Sequence, residues 1–485
     1  MTRTSSGFVA LALAAFLLLG GGRALAATYY VSPTGNNSNP GTLTQPWATP
    51  GYGSRQLQPG DTLIILGGKY ILKVYDDDII IPPSGAAGAW ITIKGETGKR
   101  PVLAGQDDLF AAIILSGLHY VRVENLEITH DASVSGTRLW FRGGIEITTT
   151  PASHLVLRDL YIHHIDEAAL NIQDVDELQV LNCRFEYCGT GAIMGPDAGP
   201  GGGVRHLLVQ GCRLSYSGHY YQGGPGPSYY DRPDGFGLEP APGPIEIADT
   251  VAEHNYGDGL DSKVANTYIH NCIVANNTCD GVKLWADNSK IENCLIYGMA
   301  DGVSGSWPWA GIVIGTTQTN AHFEVVNVTL HDNPTREAYP IYVQYDNAVP
   351  ITLLLRNTII ANGYGAAYFD PAVNLTAENN LFFRPLDEPQ VEARGRTFTA
   401  AEIESGLLGP GNISRPPRFV RPAGGATGDS HLLAGSPGID QGTATGAPKV
   451  DLEYRPRPLG QGFDMGAYEF PPQAGAAILL PLLLE

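Results

Sequence analysis

Ten short segments of this chain share one pattern: VENLEI, LRDLYI, LNCRFE, QGCRLS, IADTVA, HNCIVA, ENCLIY, VVNVTL, LRNTII and AENNLF. The recurrent position is held by Asn125, Asp159, Asn182, Gly211, Asp249, Asn271, Asn293, Asn327, Asn357 and Asn379, mostly 22 to 34 residues apart. Nine of the ten are Asn or Asp, and Gly211 breaks the rule. Each unit holds brief alternating apolar runs cut by Gly, Asn and Asp turns, too short to enclose a core alone. Burial must therefore come from stacking unit on unit, which describes an all-β parallel solenoid. Coils then rise by about 4.8 Å, the spacing of paired strands, so matching positions stand nearly above one another. The recurrent Asn is expected to form an internal ladder of side-chain amides from coil to coil.

Composition agrees with strands and turns, since Gly 60 and Pro 35 accompany only 16% charged residues. Cys183, Cys212, Cys272 and Cys294 directly follow the recurrent residue and should stack in the core. They are read as free thiols, because Cβ vectors in parallel strands point the same way; a Cys272–Cys294 disulfide is the alternative. Cys188 and Cys279 fall on turns, and no spacing suggests zinc.

The N-terminus has a charged start, the apolar run FVALALAAFLLLG and an ALAA cleavage site. It reads as a secretory signal over 1–27, so the protein is expected to be secreted or displayed at the cell surface; a retained anchor is the alternative. The tail AGAAILLPLLLE is too short, and too interrupted by Pro481, to span a bilayer. No transmembrane span is expected in the mature chain, which is read as a monomer. Lys+Arg 30 against Asp+Glu 49 gives a net charge of -19. Nucleic acid is excluded as a partner on that balance, and a polyanionic ligand requires local positive charge or a metal.

Two stretches carry candidate chemistry: EHNYGDGLDSK (Glu253 to Lys263) and CDGVKLW (Cys279 to Trp285). Aligned on their Asp-Gly pairs they differ by 22 residues, which sets Asp261 beside Lys283. If Leu260 and Val282 point inward, Asp261 and Lys283 point outward from one sheet. DRPDGFGLEP aligns one coil earlier and puts Asp234 over Asp258, a step of 24. Three carboxylates and a lysine would then share one patch. An ordinary Asp261–Lys283 salt bridge, or Asp-Gly pairs serving as plain turns, would produce the same pattern. Lys263, outward on the same strand, is either a substrate-carboxylate ligand or a solvated strand-end lysine. Tyr229, Tyr230, Trp285, Trp307 and Trp309 are placed to stack on sugar rings or to pack insertions against the solenoid.

The start TYYVSPTGNNSNPGTLTQPWATP with LQPGDTLIILGGKY resembles the N-terminal cap and first coil of right-handed parallel β-helix proteins of the pectin-lyase-like superfamily. The end, GSPGIDQGTATGAPKVDLEYRPRPLGQGFDMGAYEF, resembles the C-terminal segment of secreted bacterial β-helix proteins. The resemblance implies a right-handed β-helix over 28–384 with terminal caps, a C-terminal coil or cap over 385–470 and an apolar tail over 471–485. GDGLD followed by DGVKLW resembles the active-site region of the family nine polysaccharide lyases, which include calcium-dependent pectate lyases. That likeness implies Lys283 as Brønsted base, Asp258 and Asp261 as Ca²⁺ ligands with Asp234 as a third, and an acidic polysaccharide as partner; Lys263 and Trp285, from their own positions on the strand and rim, are the candidate substrate-binding residues. Gly257 departs from the family's first Asp, and Trp285-Ala286 replaces its Gly-Gly. The chemistry is coherent on its own terms, since Ca²⁺ takes several carboxylate oxygens and can also accept a uronate. A non-catalytic carbohydrate-binding β-helix and a solenoid glycoside hydrolase are the rival expectations.

Overall fold

The computed structural model describes residues 26–106, 109–131, 141–219, 233–299, 310–331, 339–344, 349–385, 389–421 and 428–471. Residues 1–25, which hold most of the expected signal segment, the tail from 472, and Tyr229, Tyr230, Trp307 and Trp309 lie outside them. Within the described residues the chain winds into a right-handed parallel β-helix with three long sheets of 13, 12 and 12 strands. Among the described residues helix is confined to three short pieces, Pro50–Arg55, Tyr75–Asp78 and Ala400–Glu404. Among the described residues no helix is long and apolar enough to cross a membrane.

Strand alternation explains the core. In the first sheet, Leu157, Val180, Val209, Ile247, Ile269, Ile291 and Val325 follow one another in register, and all are buried. The second sheet answers with Ile162, Phe185, Leu214, Ala252, Val274, Ile296 and Leu330. Each such side chain contributes roughly 1.5–3 kcal/mol on leaving water, and the stack has meaning only as a whole.

All ten recurrent residues sit at the corner between these sheets with φ between +51° and +67°. The left-handed conformation is what selects Asn, Asp and Gly there, so Gly211 at φ +67° obeys the rule it breaks in polarity. The expected amide ladder is realised in part. Asn293 Nδ2 donates to Asn271 Oδ1 (2.9 Å) and Asn357 Nδ2 to Asn327 Oδ1 (3.1 Å), whereas Asn182 faces solvent. A second buried amide pair stands elsewhere, where Asn255 Nδ2 donates to Asn277 Oδ1 (2.9 Å). Cys183, Cys212, Cys272 and Cys294 are buried free thiols, as the vector argument requires. Cys188 is corrected from a turn to the end of strand Arg184–Cys188, with its side chain in the core.

Residues 428–471 run back along the corner the chain has already built. Asn379 Nδ2 donates to the Gln441 carbonyl (2.9 Å) and Asn357 Nδ2 to that of Thr443 (2.8 Å). Asn327 Nδ2 reaches the Asp464 and Gly466 carbonyls (both 3.2 Å), Arg457 Nη2 donates to Asn293 Oδ1 (3.0 Å), and the Tyr454 hydroxyl meets Asp249. Arg457 and Glu469 form a fully buried ion pair beneath this strap (2.7 Å).

Candidate functional site

Five consecutive strands of the third sheet frame the site: β1 (Gly191–Gly195), β2 (Asp234–Ala241), β3 (Leu260–Val264), β4 (Val282–Leu284) and β5 (Ala310–Ile314). Their register runs Ile193, Phe236, Leu260, Val282, Ile312, all buried in the core. The neighbouring column is therefore outward, and it contains Gly237, Asp261 and Lys283 in direct pairing. Two residues before each core position lie Asp234, Asp258 and Asp280, one per coil.

These three aspartates fasten each coil to the next. Asp234 Oδ1 accepts the Asp258 N–H (2.7 Å), Asp258 Oδ1 accepts the Asp280 N–H (2.8 Å), and Asp280 Oδ1 accepts the Ala310 N–H (2.8 Å). One oxygen of each carboxylate is thus spent on the backbone, and the other is left to face the outward column. The turn that delivers them is set by the Asn255–Asn277 amides, which also reach the Leu214 and Ala252 carbonyls.

Lys283 Nζ lies 2.7 Å from Asp258 Oδ2 and 2.9 Å from Asp280 Oδ2. Asp261 is engaged by Lys263 Nζ (3.2 Å) and by the Trp285 indole N–H (3.0 Å), and Lys263 also pairs with Glu239 (2.8 Å). The sequence thus located Asp234, Asp258, Asp261, Lys263, Lys283 and Trp285 on one patch, and the structure brings all six together. Asp280, Glu239 and the two asparagines are additions. Asp280 had a visible signal, since it is the Asp of the same Asp-Gly that marks Lys283, and Asn-x-x-Asp-Gly recurs as NYGDG and NTCDG.

The patch points outward but is not wet: Asp234, Asp258, Asp261, Asp280 and Lys283 are each at most 7% exposed. Four carboxylates face one buried ammonium, an arrangement whose desolvation costs on the order of several kcal/mol per ion unless compensated. Burial, then the Asp258 and Asp261 carboxylates, push Asp234 well above the usual carboxylate range. Burial also raises Asp261 to about 6, against the pull of the Lys283 ammonium. Burial raises Asp280 as well, again opposed by Lys283. Lys283 runs the other way. Burial favours its neutral amine, yet the carboxylates of Asp258, Asp280 and Asp261 together hold its proton well above the ordinary lysine range. Lys263 is likewise raised, with Asp261 and Glu239 outweighing its burial.

Asp234, Asp258 and Asp261 each offer an oxygen within 4.8 Å of the other two. Hard oxygen donors, excess negative charge and raised carboxyl pKa values fit a divalent cation of the Ca²⁺ class. Protonation of Asp234 and binding of a cation are two ways of relieving the same repulsion.

Comparison with known proteins accords with this architecture. Residues 29–189 match a family described as Pel9A-like, right handed beta helix region, and residues 201–384 match the right handed beta helix region family. The first match ends before Asp234, so every site residue falls within the second. No curated protein matches the chain. Among solved structures, pectate lyase Pel9A is 16% identical over 92% of this chain and 97% of its own, with a TM-score of 0.43. A rhamnogalacturonan lyase is 15% identical over 84% and 97% (TM-score 0.41), and XylC in complex with xylose is 9% identical over 81% and 87% (TM-score 0.47). The coil-by-coil register, with right-handed β-helix matches on both stretches of the solenoid, makes this chain a right-handed parallel β-helix protein.

Proposed function

We propose that the protein is an exported carbohydrate-active enzyme, a lyase that cleaves a uronate-containing polysaccharide, pectate first, by Ca²⁺-assisted β-elimination. One observation carries the reading: three buried carboxylates converge within 4.8 Å, and a buried lysine stands 2.7 Å from one of them. A cation held by Asp234, Asp258 and Asp261 would neutralise their charge and receive the uronate carboxylate, acidifying the adjacent C5 proton. With Asp258 and Asp261 engaged by a cation, Lys283 would lose two of the three carboxylates that hold its proton, and its burial, which favours the neutral amine, would be opposed by Asp280 alone. Its Nζ then takes the C5 proton, the C–H electron pair becomes the C4–C5 double bond, and the C4–O bond breaks. The departing oxygen takes a proton from water. Lys263 supports the site by balancing Asp261 and, at the edge of the patch, meets a second sugar acid. Trp285 orients Asp261 through its indole N–H and offers its ring to the sugar.

The double pairing of Lys283 to Asp258 and Asp280 favours a second reading, a carbohydrate-binding solenoid in which the lysine only compensates charge. Incubation with polygalacturonate, alginate and glycosaminoglycans, with Ca²⁺ or chelator, separates the two. Ultraviolet absorbance of an unsaturated product that requires Ca²⁺ is expected. New reducing ends without that absorbance would indicate hydrolysis, and no product on any polymer would indicate binding alone. Lys283→Met, which keeps the buried volume, is expected to abolish turnover; turnover retained in that variant would remove Lys283 as base.

A further inference from the structure

Beyond Lys283 the outward column of the third sheet changes character. Lys283 pairs in register with Val313, Val313 with Tyr342, and Tyr342 with Tyr368. Tyr339 belongs to the adjoining column, in register with Ala310, whose N–H binds Asp280. At about 4.8 Å per coil, Tyr342 and Tyr368 stand ~10 and ~14 Å along the axis from the lysine. The three rings form one cluster: Tyr339 and Tyr342 stack at 4.8 Å and 28°, Tyr342 and Tyr368 lie 5.1 Å apart, and Tyr339 and Tyr368 5.9 Å. Each is half-buried and keeps part of its ring accessible. Gly365 fits the cluster closely, since a Cβ there would come within 2.8 Å of the Tyr339 ring.

Tyrosines one rung apart are also ordinary cross-strand pairs that stabilise a sheet. These three differ from such pairs in where they stand. Tyr342 and Tyr368 prolong the very column that holds Asp261 and Lys283, with Tyr339 beside them; the three replace its charge with uncharged aromatic surface, and one rung is close to the length of one pyranose unit. Flat rings held in place, each with a hydroxyl at its tip, suit the apolar face and hydroxyl rim of a sugar. The geometry points to a distal sugar subsite at Tyr339, Tyr342 and Tyr368, which grips a polysaccharide laid along the solenoid axis two to three units from the one at Lys283. The assignment of the unit at Lys283 rests on the lyase reading; the grip of the tyrosines does not.

The test is affinity, measured calorimetrically both with Ca²⁺ and in chelator, for trimeric and hexameric oligogalacturonates and oligomannuronates. A trimer centred on Lys283 falls short of the tyrosines, and a hexamer reaches them. Wild-type protein is expected to favour the hexamer in one series, and Tyr368→Ala to cut that advantage about tenfold, the scale of an aromatic contact. Tyr368→Phe should keep it. Tyr342→Leu, which preserves buried area without a ring, covers the case in which an alanine variant melts. A hexamer advantage untouched by these substitutions, or none in the wild type for either series, overturns the subsite. Turnover is scored separately. Tyrosine-dependent binding without unsaturated product keeps the subsite and removes the lyase, while product with tyrosine-independent binding does the reverse.

Discussion

At the scale of single residues, burial governs what each charge can do. Glu146, in strand Phe141–Ile147, pairs in register with Asn171 and is 2% exposed. Burial raises it to about 7, against a hydrogen bond from Thr148 and with a further push from Glu167. Folded, it keeps its proton to about pH 7, whereas unfolded glutamate loses it near ~4.3. Its contribution to stability is therefore full below that lower value and is lost as pH rises through 7. Glu146→Gln should flatten the decline, so the melting temperature of the variant relative to wild type should climb between pH 5 and pH 8. A difference that stays constant across that range would refute the assignment. The carboxylates and lysine of the candidate site were legible in sequence because Asp-Gly marks the register, and a step of 22 or 24 residues then fixes who stands over whom. Their burial was not legible, nor was the transfer of Lys283 from Asp261 to Asp258 and Asp280. Both depend on side-chain reach and on cover over the sheet, which alternation does not encode.

At the scale of the repeating element, the corner is the unit of specification. The pattern of Asn and Asp disclosed the coils but suggested only one of its two causes. The backbone demands a positive φ first, and coil-to-coil amide bonds follow only where a neighbouring amide or the strap is in reach. Asn182, at φ +52° with an exposed side chain, isolates the first effect. Asn182→Gly should be nearly neutral, and Asn182→Val should cost about 1–2 kcal/mol through strain in the left-handed region. Urea denaturation measures both. Equal stability of the valine and glycine variants would mean that conformation does not select this position. Gly211 shows why a purely polar reading failed at one coil in ten: glycine satisfies the geometry and offers no side chain to recognise.

At the scale of the whole molecule, the strap changes what kind of object the solenoid is. Repeat arrays gain stability from nearest neighbours, and their ends fray first. Here Arg457 is buried against Glu469 and donates to Asn293, far from both in sequence. Arg457→Met strands the Glu469 carboxylate and should cost about 3–5 kcal/mol, whereas Arg457→Met with Glu469→Leu should recover much of that loss. Thermal melts of the single and double variants decide it, and equal loss in both would show that the pair is not the unit of stabilisation. The fold class was legible from the repeats, and the path of the strap was not, since Gln441, Thr443, Asp464 and Gly466 meet the corner through backbone carbonyls that any sequence supplies.

Held at both ends and pulled, a bare coil stack would pay out one turn after another, a staircase of small equal releases. The coils from Asp249 to Asn379 are laced together by a cord that touches each of them. Under tension that half should hold until the lacing slips and then let go in a single large event, leaving the opposite half to unwind step by step.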